Sequence, residues 1–353
     1  MTEVLGLIDS SRGLLSSSKD WDMEESSSVS PQDDDDDDDD DDEEKLNVCP
    51  VREETFGILR KDKSRNHQEI TRTAVLRATA TTCMETEGFT MPKPLNIKTL
   101  AEACGKMKYE DHFEKAIRVI CYYNVKRDVL SDPEYHFNNE KFKMGKKLIT
   151  DGINKITGQV MSQSFDDARE TLGKILHTLQ DFYSHSNWIE MGNTSPYNDL
   201  INPDEELMNI ADELQETCEE DCVKKTCTAS FKADIINNKI LTSGYFGSKK
   251  PAGKCSHGGA LDLSTGFGKS WNGINKDSRD SSHGSLHKTA AVVAIEASVK
   301  LLENIRDKIN NPNNFLRLVG LHEKNPKGSL KALLFSPYKD RYPDASEGAE
   351  FDD

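Results

Sequence analysis

Apolar residues recur at three- and four-residue steps through much of the chain, the period of a helix with one buried side. The strongest run is Leu172–Gly192, where Leu172, Ile175, Leu176, Leu179, Phe182 and Tyr183 mark that side of a helix expected over Asp166–Ile189. Ser285–Ile309 repeats the pattern with Leu286, Ala290, Val293, Ala294, Ala297, Leu301 and Ile305. From His67 to Glu87 the face is one of small residues, Ile70, Ala74, Val75, Ala78 and Thr82, suited to close helix packing. Tyr109–Leu130, with Phe113, Ala116, Ile117, Ile120, Cys121 and Val125 inward, and Lys141–Gln163 also predict helices, Thr99–Met107 a short one, and residues 203–218 a short acidic one. Asp132-Pro133 fits a helix start, since Asp caps and proline is tolerated in the first turn. The expected fold is therefore an all-α, multi-helix bundle of about seven helices.

Three segments depart from this period. Residues 1–48 are rich in Ser and Asp with few apolar anchors and are expected to be disordered, because they cannot bury enough surface to offset their ordering entropy. Residues 218–283 are irregular and rich in Gly, Ser, Asn and Lys, too long for a passive connector. They read as an insertion in which Lys232–Phe246 could pair as short strands. Residues 321–353 are polar, with three prolines, and read as a loose tail. The helical domain is placed at 49–320.

The net charge is −17, but Asp33–Glu44 is an unbroken acidic run of twelve residues, and without it the remainder carries −5. That run could bind calcium weakly or a basic partner; a solvated tail is the simpler reading. No long basic stripe offsets it, which argues against nucleic acid as the main partner and leaves a protein or lipid surface. No apolar run reaches the length of a transmembrane helix. The opening MTEVLGLIDSSRGLLSSS lacks the basic and apolar regions of a signal peptide. Of the eight cysteines, Cys218, Cys222, Cys227 and Cys255 lie in the insertion. They read as disulfides in an exported protein and as thiols or a zinc knot in the cytosol; the spacing CEEDCVKKTC is not that of a zinc ribbon and favours disulfides. Asn193-Thr194-Ser195 is an N-glycosylation sequon, meaningful only on export.

Candidate chemistry lies on the helices. His177, Asp181 and His185 stand four residues apart, so at about 100° per residue they stack along one face. Imidazole nitrogen and carboxylate oxygen are the donors that zinc takes. His67, His136, His283 and His287 each begin or flank an expected helix, and His283 and His287 repeat the four-residue step. A bundle whose helices turn such side chains inward is a known way to build a polynuclear metal site. Asp132 or Glu140, beside His136, could add a carboxylate. His257, in CSHGG, is either a loop ligand or a turn residue, and His112 and His322 read as surface residues.

LHTLQDFYSHSNWIEMG, NHQEITRTAVL, DPEYHFNNEKF, KPAGKCSHGG, NGINKDS and HGSLHKTAAVVAIEAS resemble the Het-C and von Willebrand factor A domain-containing protein 7 family over roughly residues 55–320. More distantly, the domain is similar to the zinc-dependent phospholipase C and S1/P1 nuclease fold. That likeness implies zinc held by the His-x-x-x-Asp pair His177 and Asp181, a further histidine matched by His185, and possible phosphodiester hydrolysis. It equally allows a non-catalytic secreted module with structural metal or none. The late His-x-x-x-Glu pair of that fold is matched by His283 and His287, imidazole replacing carboxylate, and Ser282-His283-Gly284-Ser285 stands where the closer family is richer in histidine. The resemblance implies an extracellular protein. It ends after Val319-Gly320-Leu321, before any Asp-x-Ser-x-Ser adhesion motif, so the chain reads as a short form without the von Willebrand A domain.

Overall fold

In a computed structural model, the structure describes residues 64–128, 132–223, 226–247, 249–259, 262–265, 273–322, 332 and 334. The acidic leader and nearly all of the tail lie outside them. Eight α-helices occur among the described residues: α1 (His67–Cys83), α2 (Ile97–Ala103), α3 (Glu110–Arg127), α4 (Phe142–Met161), α5 (Phe165–His185), α6 (Ala233–Asn237), α7 (His287–Ile309) and α8 (Pro312–Val319). The long ones follow the apolar periods of the sequence to within a few residues. None is long and apolar enough to cross a membrane.

α5 is the axis of the bundle, packed against α3, α4 and α7. Glycines let two of these neighbours approach closely. A side chain at Gly173 would strike the Ile120 carbonyl oxygen and lie 2.9 Å from Asn124 N, so α3 touches the backbone of α5 there. On the α4 side, Gly152 makes room for the Ile175 side chain. Around Phe182, fully buried, the rings of Tyr183, Phe137, Trp188 and Phe142 lie at 5.0, 5.3, 6.0 and 6.1 Å. α1 opens with a capping box: Asn66 Oδ1 accepts from Glu69 N at 2.9 Å and Glu69 Oε2 accepts from Asn66 N at 3.0 Å. This reciprocal cap sets where the helix begins and makes His67 its first residue.

The insertion and the segment before it each differ from expectation. Residues 203–218 do not form a helix. Their backbone is drawn into contacts with neighbouring segments, Met208 N–H donating to the Tyr197 hydroxyl, Leu241 N–H to Asn209 O, and Ala211 N–H to Leu241 O. Lys232–Phe246 makes the short helix α6 and then isolated bridges at Leu241, Ser243 and Tyr245, each to a different segment, rather than a strand pair. The two described strands come earlier, β1 (Cys218–Val223) and β2 (Thr226–Phe231), in an antiparallel hairpin that sets Cys222 opposite Cys227. Cys218 is joined to Cys255, and a second disulfide, Cys83–Cys104, ties the end of α1 to the end of α2. The second pair was not among the candidates, because the clustering in sequence pointed only to the insertion. Cys121 is a buried thiol whose pKa burial pushes up to about 12.

Candidate metal centre

Three supports bring donors to Asp181. α5 carries His177 and Asp181 one turn apart, both with 0% exposure. α1 delivers His67 from its capped first position. His136 follows a single 3-10 turn, Pro133–Tyr135, and precedes a strained stretch in which Phe137, Asn139 and Glu140 have φ of 54°, 55° and 58°. Left-handed backbone is uncommon for such residues and persists where surroundings hold it. Here Asn139 N–H donates to Gly244 O at 3.0 Å, and its Oδ1 accepts from Phe246 N at 2.8 Å. The Glu140 carboxylate accepts from Thr242 Oγ1 at 2.6 Å and from Ser243 N and Lys254 Nζ at 3.0 Å. Glu140 is therefore committed to the insertion rather than to His136. Burial pushes its pKa up, against the pull of Lys254. Asp132, the other carboxylate near His136 in sequence, is exposed.

The two oxygens of Asp181 face different imidazoles. Oδ2 lies 2.7 Å from His136 Nδ1 and 3.1 Å from His177 Nε2, and these nitrogens are 3.1 Å apart. Oδ1 lies 3.1 Å from His67 Nε2. Donors about 2.0–2.1 Å from a tetrahedral zinc stand about 3.3 Å from one another, close to this spacing. His67, His177 and Asp181 form one group of ligand atoms within 4.8 Å of each other, and Asp128, His136 and His177 form another. Asp128 stands just past α3, 3.8 Å from His177 Nε2. His177 and the carboxylate of Asp181 thus lie between two adjoining positions.

Outer contacts orient the rings. Gln180 donates its amide N–H groups to Thr71 Oγ1 at 3.0 Å and Ser298 Oγ at 3.3 Å, so its oxygen is the acceptor 2.7 Å from His67 Nδ1. That places a proton on His67 Nδ1 and turns Nε2 toward Asp181, the arrangement that orients metal-ligating histidines. Asp181 Oδ1 and His177 Nδ1 are buried without a hydrogen-bond partner, an unusual state for such atoms. Burial opposes ionisation of Asp181, but the imidazoles of His177, His185 and His67 outweigh it and hold the carboxyl well below its ordinary range. Burial takes His177 down to about 3, so it is a neutral donor at physiological pH. For His67, burial lowers the pKa and Asp181 raises it, with a net rise. Imidazoles around an ionised, incompletely partnered carboxylate are a donor set that fits zinc.

The other histidines take separate places. His185, the last residue of α5, sets Nδ1 3.0 Å from His136 O and 3.8 Å from Asp181 Oδ2, and Nε2 3.1 Å from Asp277 Oδ1. It groups with His257 and Asp277. His283 and His287 fall in none of the described groups. His283 places Nδ1 2.7 Å from Glu190 Oε1 and Nε2 2.9 Å from Ala229 O. His287 places Nδ1 2.7 Å from Lys276 O, while Nε2 accepts from Arg65 N–H at 2.9 Å. Their shared spacing thus serves backbone and side-chain anchoring of the α7 entrance. His112 and His322 flank the Tyr109 ring at 6.0 and 5.9 Å. Spacing alone gave no sign of Asp128, a single carboxylate after a helix. Asp277 lay inside the family-like NGINKDS stretch, which was its one available signal. Asn193, in the turn after α5, is half-buried and donates Nδ2–H to Trp188 O at 3.0 Å.

The profile of the VWA7 N-terminal domain family matches residues 95–316. The chain is 36% identical to human (Homo sapiens) von Willebrand factor A domain-containing protein 7 over 231 residues, which is 63% of this chain and 25% of the relative. The proteins of that name from Rattus norvegicus and Mus musculus match equally, at 36% over the same shares. The match thus spans about a quarter of the length of these curated relatives. No solved structure matches the chain. With the family profile covering well over half of its length, the chain belongs to the VWA7 N-terminal domain family.

Proposed function

We propose that this domain binds zinc at the Asp181 centre, in the manner of a phospholipase C-like hydrolase, and that its chemistry is hydrolysis of a phosphodiester. The observation that carries the reading is a fully buried carboxylate with imidazole nitrogens of His67, His136 and His177 at 2.7–3.1 Å. His67, Asp128, His136, His177 and Asp181 would hold the metal. Zinc there would supply Lewis acidity toward a phosphoryl oxygen. The chain's own residues do the positioning: Gln180 fixes the His67 tautomer, the left-handed stretch after His136 aims that ring, and the α5 backbone sets His177 against Asp181.

Burial of the donors supports a second reading, a non-catalytic module in which the same residues hold structural metal and the surface binds a protein or a lipid. Metal analysis and turnover separate the two. Purified protein should carry at least about one zinc per chain, and zinc-replete protein should hydrolyse a chromogenic phosphodiester. Zinc without turnover selects the module; less than one zinc sinks both.

We also place the domain outside the reducing cytosol. Two disulfides and the Asn193 sequon support this. Protein from mammalian cells should lose the mass of a glycan on glycosidase treatment, and Asn193→Gln should abolish that loss; an unglycosylated wild-type chain would count against export.

A further inference from the structure

We infer that Ser298, on α7, is a positioning residue that sets the proton order of the Asp181 centre. Through Gln180 it keeps a proton on His67 Nδ1, so that Nε2 is the nitrogen left to ligate. The inference rests on the metal reading proposed above, since a free Nε2 matters only where it can ligate, but the proton order itself can be read in metal-free protein.

Side chains from four helices meet behind the His67 ring: His67 and Thr71 of α1, Asn124 of α3, Gln180 of α5 and Ser298 of α7, all of them buried. Most of them can serve either way round. An imidazole has two tautomers, a side-chain amide can turn over, and a threonine hydroxyl donates or accepts. Ser298 has no such freedom. It has one hydroxyl proton and donates it to Ala294 O at 2.7 Å. Toward Gln180, at 3.3 Å, it can only accept, so the Gln180 atom that meets it is Nε2. The other members are then determined. Gln180 Oε1 is the atom 2.7 Å from His67 Nδ1 and 3.2 Å from the Asn124 amide, and both of these partners must donate to it. Asn124 therefore turns Nδ2 toward Gln180 and also donates to Thr71 Oγ1 at 3.1 Å, the same oxygen that accepts from Gln180 Nε2 at 3.0 Å.

Without the Ser298 hydroxyl, the same contacts allow the opposite order. Gln180 could turn over, its oxygen accepting from the Thr71 hydroxyl and its nitrogen donating to an Asn124 oxygen and to a bare His67 Nδ1. The His67 proton would then lie on Nε2, where Asp181 Oδ1 at 3.1 Å is a ready acceptor. The ionised carboxylate favours that inversion, so the proton order needs something to hold it. Which ring nitrogen is free to ligate is set by the hydrogen bond the other makes, and in the inverted order the nitrogen facing Asp181 has no lone pair to offer. Ser298 spends its proton on helix backbone, and that asymmetry passes through Gln180 to the ring of His67.

The test uses the full chain labelled with nitrogen-15 in histidine, free of metal and at alkaline pH, where imidazoles are neutral. The ring-nitrogen resonances of His67, assigned by their loss in His67→Gln, report which nitrogen carries the proton. Wild type should show Nδ1–H. Ser298→Ala keeps the helix, since alanine is the best helix former, and should move the proton to Nε2 in most molecules. Gln180→Met, which removes the contact itself, should do the same. Ser298→Thr keeps a hydroxyl able to bond the carbonyl four residues back and should restore Nδ1–H. A residue that only filled space would leave the tautomer alone. In zinc titrations Ser298→Ala should bind about tenfold more weakly, the low end for losing a partner that orients a ligand, and Ser298→Thr should bind as wild type does. Nε2–H in wild type, or unchanged Nδ1–H in both Ser298→Ala and Gln180→Met, would overturn the inference. A tautomer that shifts as expected in protein that takes up no zinc would sink the metal reading instead and leave the proton order standing.

Discussion

Asp181→Asn is expected to lower zinc affinity by more than about 100-fold, beyond the 10–100-fold typical of outer-shell changes. The carboxylate faces His136 and His177 through Oδ2 and His67 through Oδ1. Asparagine keeps the volume, so the helix is retained. It removes the anion that ligation requires and puts an N–H donor where a nitrogen lone pair or an ion should be. Competition against a chelator of known affinity measures the change, and far-ultraviolet circular dichroism reports the retained helix. Wild-type affinity in the variant would show that the imidazoles do not act through Asp181.

Phe182→Ala is expected to destabilise the domain by about 4 kcal/mol, through lost transfer free energy and the cavity left in a dense core. Phe182 is fully buried and its ring meets those of Phe137, Phe142, Tyr183, Trp188 and Tyr197. These belong to α4, α5 and the connections around them, so collapse onto the cavity would have to move several elements at once. For a domain of this size the midpoint should fall by roughly 8–16 °C. Met161→Ala, at a side chain 66% exposed, should shift it little. Equal losses for the two variants in thermal unfolding would refute the assignment of α5 as the packing axis.

The bundle could be read from sequence because its long helices bury one face, and burial imposes the period. Leu172, Leu176 and Leu179 lie where that period puts them, fully buried. The short elements could not be read this way. Residues 203–218 look helical by composition, yet their backbone groups bond to Tyr197 and Leu241, a choice made by distant chain. The candidate metal centre divides along the same line. The step from His177 to Asp181 is local and visible. Asp128, His257 and Asp277 come from connections whose approach is set by packing, so no spacing announces them. His283 and His287 show the converse. A four-residue step looks the same whether the ring nitrogens meet a metal or a carbonyl oxygen, and here they meet Glu190, Ala229, Lys276 and Arg65.

The donors are gathered from far along the chain. His67 is oriented by Gln180 across 113 residues, and His185 meets Asp277 across 92. Contacts of such separation form late, after loop closure has been paid by local helices and packing. During synthesis, at about 5–20 residues per second, α1 waits roughly 6–23 seconds for α5 to be made. Until then its capped histidine has no partner carboxylate. A zinc ion held at Asp181 as proposed would therefore be captured only once α5 is made and packed, however early the first helix had formed.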